Sequence, residues 1–258
     1  MVPMMNPILA LREAGVLTLT FNRADKKNAL TQAMYSTLHE ELRQAAGDDA
    51  VRVVVLQGRE DLFSSGNDVS EFLQRPPGGL DTPVFDFLRT LADFPKPVLA
   101  AVGGPAVGIG TTLLLHCDLV YCGDNALFSL PFVNLGLSPE AGSSLLLPLR
   151  VGPALAAEML YFGEPFAADD ALSMGLVNRV LPPEQLLDYA QAQARKLAAK
   201  PSASLVATKQ MLRKGQREAV QAAIADEAWQ FARLLQGPAA KEAFRAFLEK
   251  RRPDFGGM

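Results

Sequence analysis

Along this chain the apolar positions switch between a period of two and a period near four. Val16-Leu17-Thr18-Leu19-Thr20-Phe21 alternates apolar with polar, and together with Ile8 to Leu11 and the turn-prone Glu13-Ala14-Gly15 it predicts a hairpin. Thr31 then offers a helix N-cap, and Met34, Leu38 and Leu42 recur at helical spacing until Gly47 stops the helix. Val51 to Leu56 is an unbroken Val-rich run, the pattern of a strand covered on both faces. Arg59 to Asn67 is polar and contains glycine, hence a loop, and Pro76-Pro77-Gly78-Gly79 marks a second surface stretch, with 76–81 a candidate lid over a bound ligand. Thr82-Pro83 opens a helix that ends at Phe94-Pro95. Val98 to Val102 predicts a second buried strand, the glycine-rich turn after it opens into a helix from Thr111 to His116, and Asp118 to Tyr121 predicts a further short strand.

Strands and helices alternating at this spacing imply parallel pairing through βα units up to about Val180. After Pro183 the pattern becomes helical: 184–199, 202–213, 218–236 and 241–250 carry apolar stripes such as Ala228, Phe231 and Leu235, then Phe244, Phe247 and Leu248. The fold class expected is α/β, with a layered core over 1–182 that carries the site and a helical region over 183–258 that covers the core and makes oligomer contacts. No internal repeat or low-complexity segment interrupts it.

Composition narrows the classes of function. At 258 residues and 49% hydrophobic the chain buries a substantial core, and a net charge of -3 leaves no basic surplus with which to neutralise a nucleic-acid backbone. The apolar runs are far shorter than the roughly 20 residues a bilayer demands. The first residues lack the charged start of a secretory signal, so a cytoplasmic location is expected. Cys117 and Cys122 are too few for a disulfide scaffold, and neither His39 nor His116 has companion residues at metal-ligand spacing.

The candidate chemistry lies between Lys96 and Ser144. Gly103-Gly104-Pro105-Ala106-Val107-Gly108-Ile109-Gly110 is a strand-to-helix turn rich in backbone N–H groups, an arrangement that favours a negative oxygen. It fits neither nucleotide fingerprint: no Lys-Ser/Thr follows Gly108, and Leu113 stands where a third glycine belongs. Glycines that merely permit tight packing are the other reading. Glu140 is the one acidic residue between Asp124 and Glu158. Ser138, Pro139 and Glu140 read as an ordinary helix start, whereas flanking Phe128, Leu130, Phe132, Val133, Leu135 and Leu137 suggest an apolar pocket that raises a carboxylate toward useful basicity. The helix dipole would oppose that rise.

Phe63-Ser64-Ser65-Gly66-Asn67-Asp68, the run Lys96 to Gly108, and Cys117-Asp118-Leu119-Val120 resemble the enoyl-CoA hydratase/isomerase, or crotonase, superfamily, over about Val16 to Phe247. Asn22 to Leu30 is similar to that family's CoA-binding loop, and Ala171 to Val180 to its Ala-x-x-x-Gly-Leu-Val element. The resemblance implies a crotonase-like ββα spiral core with a C-terminal oligomerisation region, as a homotrimer or a dimer of trimers. It implies that the amides of Asn67 and Ile109 form an oxyanion hole for a thioester oxygen. By the same resemblance Ala29, Ser64, Ser65, Gly66, Asp68, Gly108 and Phe132 bind the acyl-CoA, and Arg23, Lys26 and Lys27 meet its phosphates. No metal or separate cofactor is implied, since coenzyme A is part of the substrate.

Hydratases of the family carry two Glu at positions that are here Thr112 and Phe132. Without that pair hydration lacks both its acid and its base. Pro131 to Glu140 is instead similar to the peroxisomal-type Δ3,Δ2-enoyl-CoA isomerases, whose single catalytic Glu falls at Glu140. The expectation is therefore a shift of a 3-enoyl-CoA double bond to the 2-position through a dienolate. Hydration, thioester hydrolysis or dienoyl isomerisation is the alternative within the superfamily, and non-catalytic acyl-CoA binding is the remote one.

Overall fold

The computed structural model describes residues 6–74 and 81–257, so the candidate lid at 76–80 lies outside the described residues. The predicted hairpin is β1 (Ile8–Glu13) paired antiparallel with β2 (Val16–Phe21). From β2 the sheet continues in parallel through β3 (Val53–Gln57), β4 (Val98–Val102), β6 (Leu119–Gly123) and β9 (Arg179–Leu181), once a short β5 (Pro105–Val107) has left it. Every residue of β4 is buried, which is why this strand reads as a continuous apolar run rather than an alternating one. β5 instead pairs with β7 (Leu127–Ser129), which pairs antiparallel with β8 (Phe166–Ala167), so a second, smaller sheet stands beside the first.

Helices close both faces. α1 (Gln32–Gly47) begins where expected, with Thr31 Oγ1 accepting from the Met34 amide at 3.3 Å. α1 packs on α3 (Pro83–Asp93), and Met34, Tyr35, Leu38, Phe87 and Leu88 meet in the main core; each such burial contributes about 1.5 to 3 kcal/mol. α2 (Val69–Gln74) is short, with Asp68 Oδ1 accepting from the Ser70 amide at 3.0 Å. The helix expected over Thr111 to His116 starts earlier: α4 (Ile109–Thr112) leads directly into a tighter 3-10 turn over Leu113–His116.

The residue pattern puts Glu140 in the first turn of a helix capped by Ser138, and the structure corrects this. α5 (Ser143–Val151) begins later, because Ala141 (φ 63°) and Gly142 (φ 71°) are both left-handed and interrupt the helical path. Ser138 Oγ is buried and has no partner among the described residues, so it caps nothing. α6 (Pro153–Phe162) and α7 (Ala168–Ser173) complete the middle of the chain.

The four helices of the tail are α8 (Pro183–Ala198), α9 (Ser202–Arg213), α10 (Arg217–Leu235) and α11 (Pro238–Leu248). α8 lies across β3, β4 and β6 and buries Leu186, Ala190, Ala194 and Ala198 in a core layer with Val53, Val55 and Leu99. α10 packs on α3 and α5. α9 is fixed by charge: Lys209 Nζ lies 2.7 Å from Asp118 Oδ2 and Arg213 Nη2 lies 2.8 Å from Asp118 Oδ1. Through these contacts α8 and α10 lie against the sheet and the helices of the core. No described helix is long and apolar enough to cross a membrane.

Candidate active site

Two loops meet beside the small sheet. Ser64 pairs in parallel with Ala106: its amide donates to Pro105 O at 2.9 Å and its carbonyl accepts from Val107 N at 3.0 Å. The chain on each side then runs on toward Asn67 and Ile109. Gly66 is required here, because a Cβ at its position would sit 2.9 Å from Val107 O and its φ is +93°.

Asn67 is bridged to Leu30 through its neighbours, the Gly66 carbonyl and the Asp68 amide, which turns its own N–H the other way. On the second strand, Gly108 (φ 56°, ψ −116°) makes the turn that leaves Ile109 as the first residue of α4. Among the described residues no acceptor bonds the backbone N–H of Asn67 or of Ile109. Unpaired backbone amides of this kind can receive an anionic oxygen.

Glu140 is 5% exposed, and its Oε1 has no hydrogen-bond partner among the described residues. Its other oxygen lies 3.5 Å from Asn67 Nδ2, a long contact. The hydroxyl of Tyr35 donates a short hydrogen bond to Asn67 Oδ1, so the side-chain amide bridges phenol and carboxylate. Burial first, and the negative charge of Glu227 second, push the Glu140 carboxyl up to about 8, against a smaller lowering by Asn67. The contest left open by the sequence between apolar burial and helix dipole thus goes to burial, since the carboxylate stands in a turn ahead of α5 rather than inside its first turn. A carboxyl with this affinity can take and return a proton near neutral pH.

Of the two positions where the resemblance leads one to expect a hydratase glutamate, Thr112 is fully buried and Phe132 is 4% exposed, with its ring edge 4.0 Å from where a Gly108 Cβ would lie. Neither can move a proton from carbon. Among the described residues no group of three or more His, Cys, Asp or Glu could hold a metal ion.

The remaining expected residues divide in two. The Ser64 hydroxyl donates to Asn28 O at 2.9 Å and accepts from the Gly66 amide, the Ser65 amide donates to Lys27 O, and the Ala29 carbonyl accepts from Arg23. Arg23 also pairs with Asp68 at 2.7 Å. Burial alone would raise the Asp68 carboxyl, but Arg23 and the amides of Glu71 and Ser70 hold it below the usual range. These groups hold the loop together from within, whereas Lys26 and Lys27 are exposed.

Three residues at the site escape sequence reasoning. Tyr35 lies one position beyond the apolar stripe of α1, Glu227 is remote in sequence, and His116 draws notice there only as a metal ligand. His116 Nε2–H donates to Ala141 O at 2.6 Å, and burial holds the imidazole neutral by pushing it down to about 4.

The family profile described as enoyl-CoA hydratase/isomerase matches residues 11–258. The chain belongs to the enoyl-CoA hydratase/isomerase family. It is 39% identical over 254 residues to the 2,3-dehydroadipyl-CoA hydratase of Escherichia coli, covering 98% of this chain and all of that one. It is also 39% identical over 227 residues to human enoyl-CoA delta isomerase 2, covering 85% of this chain and 57% of that protein. The solved structure of Pseudomonas aeruginosa OdaA superposes with a TM-score of 0.92 at 47% identity, over 94% of this chain and 99% of that one. The core is therefore a crotonase fold with a helical C-terminal part, and the chain is an enzyme of acyl-CoA hydratase/isomerase chemistry.

Proposed function

We propose that this enzyme converts a 3-enoyl-CoA thioester into the 2-enoyl isomer. Glu140 removes a proton from C2, the electrons of that C–H bond form the C1–C2 double bond of a dienolate, and the carbonyl π electrons move onto the thioester oxygen, whose negative charge rests against the amides of Asn67 and Ile109. The C3–C4 double bond moves to C2–C3 as C4 receives the same proton back from Glu140. Atoms and charge balance within the substrate, so the reaction calls for no metal, redox partner or separate cofactor.

The observation that carries this reading is the buried Glu140 Oε1, unbonded among the described residues on a carboxyl pushed up to about 8. Relatives named hydratase and isomerase stand at the same 39% identity, so identity prefers neither. The side chains do: adding water needs a second proton-transferring group, and Thr112 and Phe132 supply none. Lys26 and Lys27 are the cations offered to the CoA phosphates, and the exposed Met211, Leu212, Trp229 and Phe247 of the tail offer apolar surface for the self-association that the proposed homotrimer or dimer of trimers requires.

The test supplies purified protein with 3-enoyl-CoA and, separately, with 2-enoyl-CoA, and follows the conjugated-thioester absorbance. Gain from the first and no loss from the second is expected. Fast loss from the second makes the enzyme a hydratase and ends the isomerase assignment.

A further inference from the structure

The turn that carries Glu140 is gripped from a distance. The carboxylate of Glu227 on α10 accepts from Gly142 N through Oε2 at 2.5 Å and from Ser144 N through Oε1 at 2.7 Å. On the other side of the same turn, His116 donates to Ala141 O at 2.6 Å, and within it Ser143 Oγ donates to Glu140 O at 2.6 Å. We propose that Glu227 is a positioning residue for the active-site base, holding the 140–144 turn so that the Glu140 carboxyl faces the two free amides. The proposal rests on the reading of Glu140 as that base.

The local backbone shows why a clamp is needed. Ala141 is left-handed without being glycine, a conformation that persists only where its surroundings over-determine it. Ser138, the residue suited to cap this turn locally, leaves its hydroxyl without a partner among the described residues. The amides of the first turn of α5 are instead answered by an acid that is 6% exposed; burial raises its carboxyl above the usual range, and the hydrogen bonds from Ser144 and Gly142 offset part of that rise. Two buried carboxylates beside one turn repel each other, and in a fold stabilised by packing alone a neutral acceptor would serve as well. A carboxylate here also discourages ionisation of its neighbour, which makes Glu140 the stronger proton acceptor. The other titratable groups close by are Tyr35 of α1, reaching Glu140 through Asn67, neutral His116 of the 3-10 turn, and Asp226 beside Glu227 on α10.

The experiment compares the full-length wild type with Glu140→Gln, Glu227→Gln and Glu227→Asp, using 3-enoyl-CoA across pH. Glu140→Gln is expected to lose about 100- to 10,000-fold in kcat. Glu227→Gln is expected to lose about 10- to 100-fold in kcat with KM within about twofold, because the base is displaced while the thioester site stands. Its rise of kcat/KM with pH moves to a lower midpoint than the wild type. Glu227→Asp keeps the charge, holds the wild-type midpoint and recovers part of the rate; it also serves alone if Glu227→Gln does not fold, with a reduced kcat at an unmoved midpoint as the supporting result. A wild-type kcat in either Glu227 variant, or a Glu227→Gln enzyme slowed with no change of midpoint, overturns the positioning role. An active Glu140→Gln enzyme overturns the base itself, so the two failures are told apart.

Discussion

The phenol of Tyr35 donates to Asn67 Oδ1, and this fixes which end of the amide faces Glu140. Asn67 therefore serves the site twice: its backbone N–H is one of the unpaired donors, and its side chain orients toward the buried carboxylate. Tyr35→Phe keeps the ring and its packing on Phe87 but strands a buried acceptor, at a cost of about 1 to 3 kcal/mol. Chemical denaturation should read that loss, and kcat should fall about tenfold as the amide reorients.

The carboxyl of Glu140 sits at about 8 in the fold against an ordinary value of 4.5. If the ionised form does the chemistry, kcat/KM rises with pH through that midpoint. Stability runs the opposite way. Between the two values the unfolded chain has already released a proton that the folded chain retains, so the contribution is full below the lower value and disappears as pH rises through the upper one. Glu140→Gln should therefore melt about 2 °C or more above the wild type in mildly alkaline buffer, with the gap closing near pH 5. Thermal scans across pH check it, and an equal gap at every pH would contradict it.

Gly108 has room for a methyl group, since the atom nearest to a Cβ placed there is Phe132 Cε1 at 4.0 Å. Its backbone does not tolerate one: φ 56° with ψ −116° belongs to glycine. Gly108→Ala should cost about 1 to 3 kcal/mol and, by re-aiming the Ile109 amide, about 100-fold in kcat. Kinetics at saturating substrate separates this from weaker binding.

Lys209 is buried against Asp118 and also donates to Lys96 O at 2.7 Å. Burial lowers its proton affinity, and the Asp118 charge partly restores it. Lys209→Met leaves Asp118 with Arg213 and the Val98 amide, so the loss should be about 2 to 4 kcal/mol rather than a failure to fold. Urea titration measures it.

Most elements are legible in the sequence because their signals are local. Thr31 and the stripe behind it specify α1, the apolar run 98–102 specifies a strand covered twice, and the tail helices fall within a few residues of their predicted bounds. The Glu140 turn is not legible. Ser138-Pro139-Glu140 is a sound helix start in isolation, and only contacts with His116 and Glu227, far away in sequence, hold Ala141 left-handed and delay the helix. The electrostatics of the site are hidden for the same reason. The apolar flank of Glu140 is visible in the sequence, but a second acid 87 positions on gives no sign that it folds back to the same turn.

The donors left unpaired at Asn67 and Ile109 are main-chain atoms, and every amino acid except proline carries the same group. Point substitution therefore changes their direction more readily than it removes them. The anion-holding half of such a site can outlast wide drift in the surrounding side chains, and a lineage can exchange one reaction for another by replacing acids nearby while the thioester still docks in the same place.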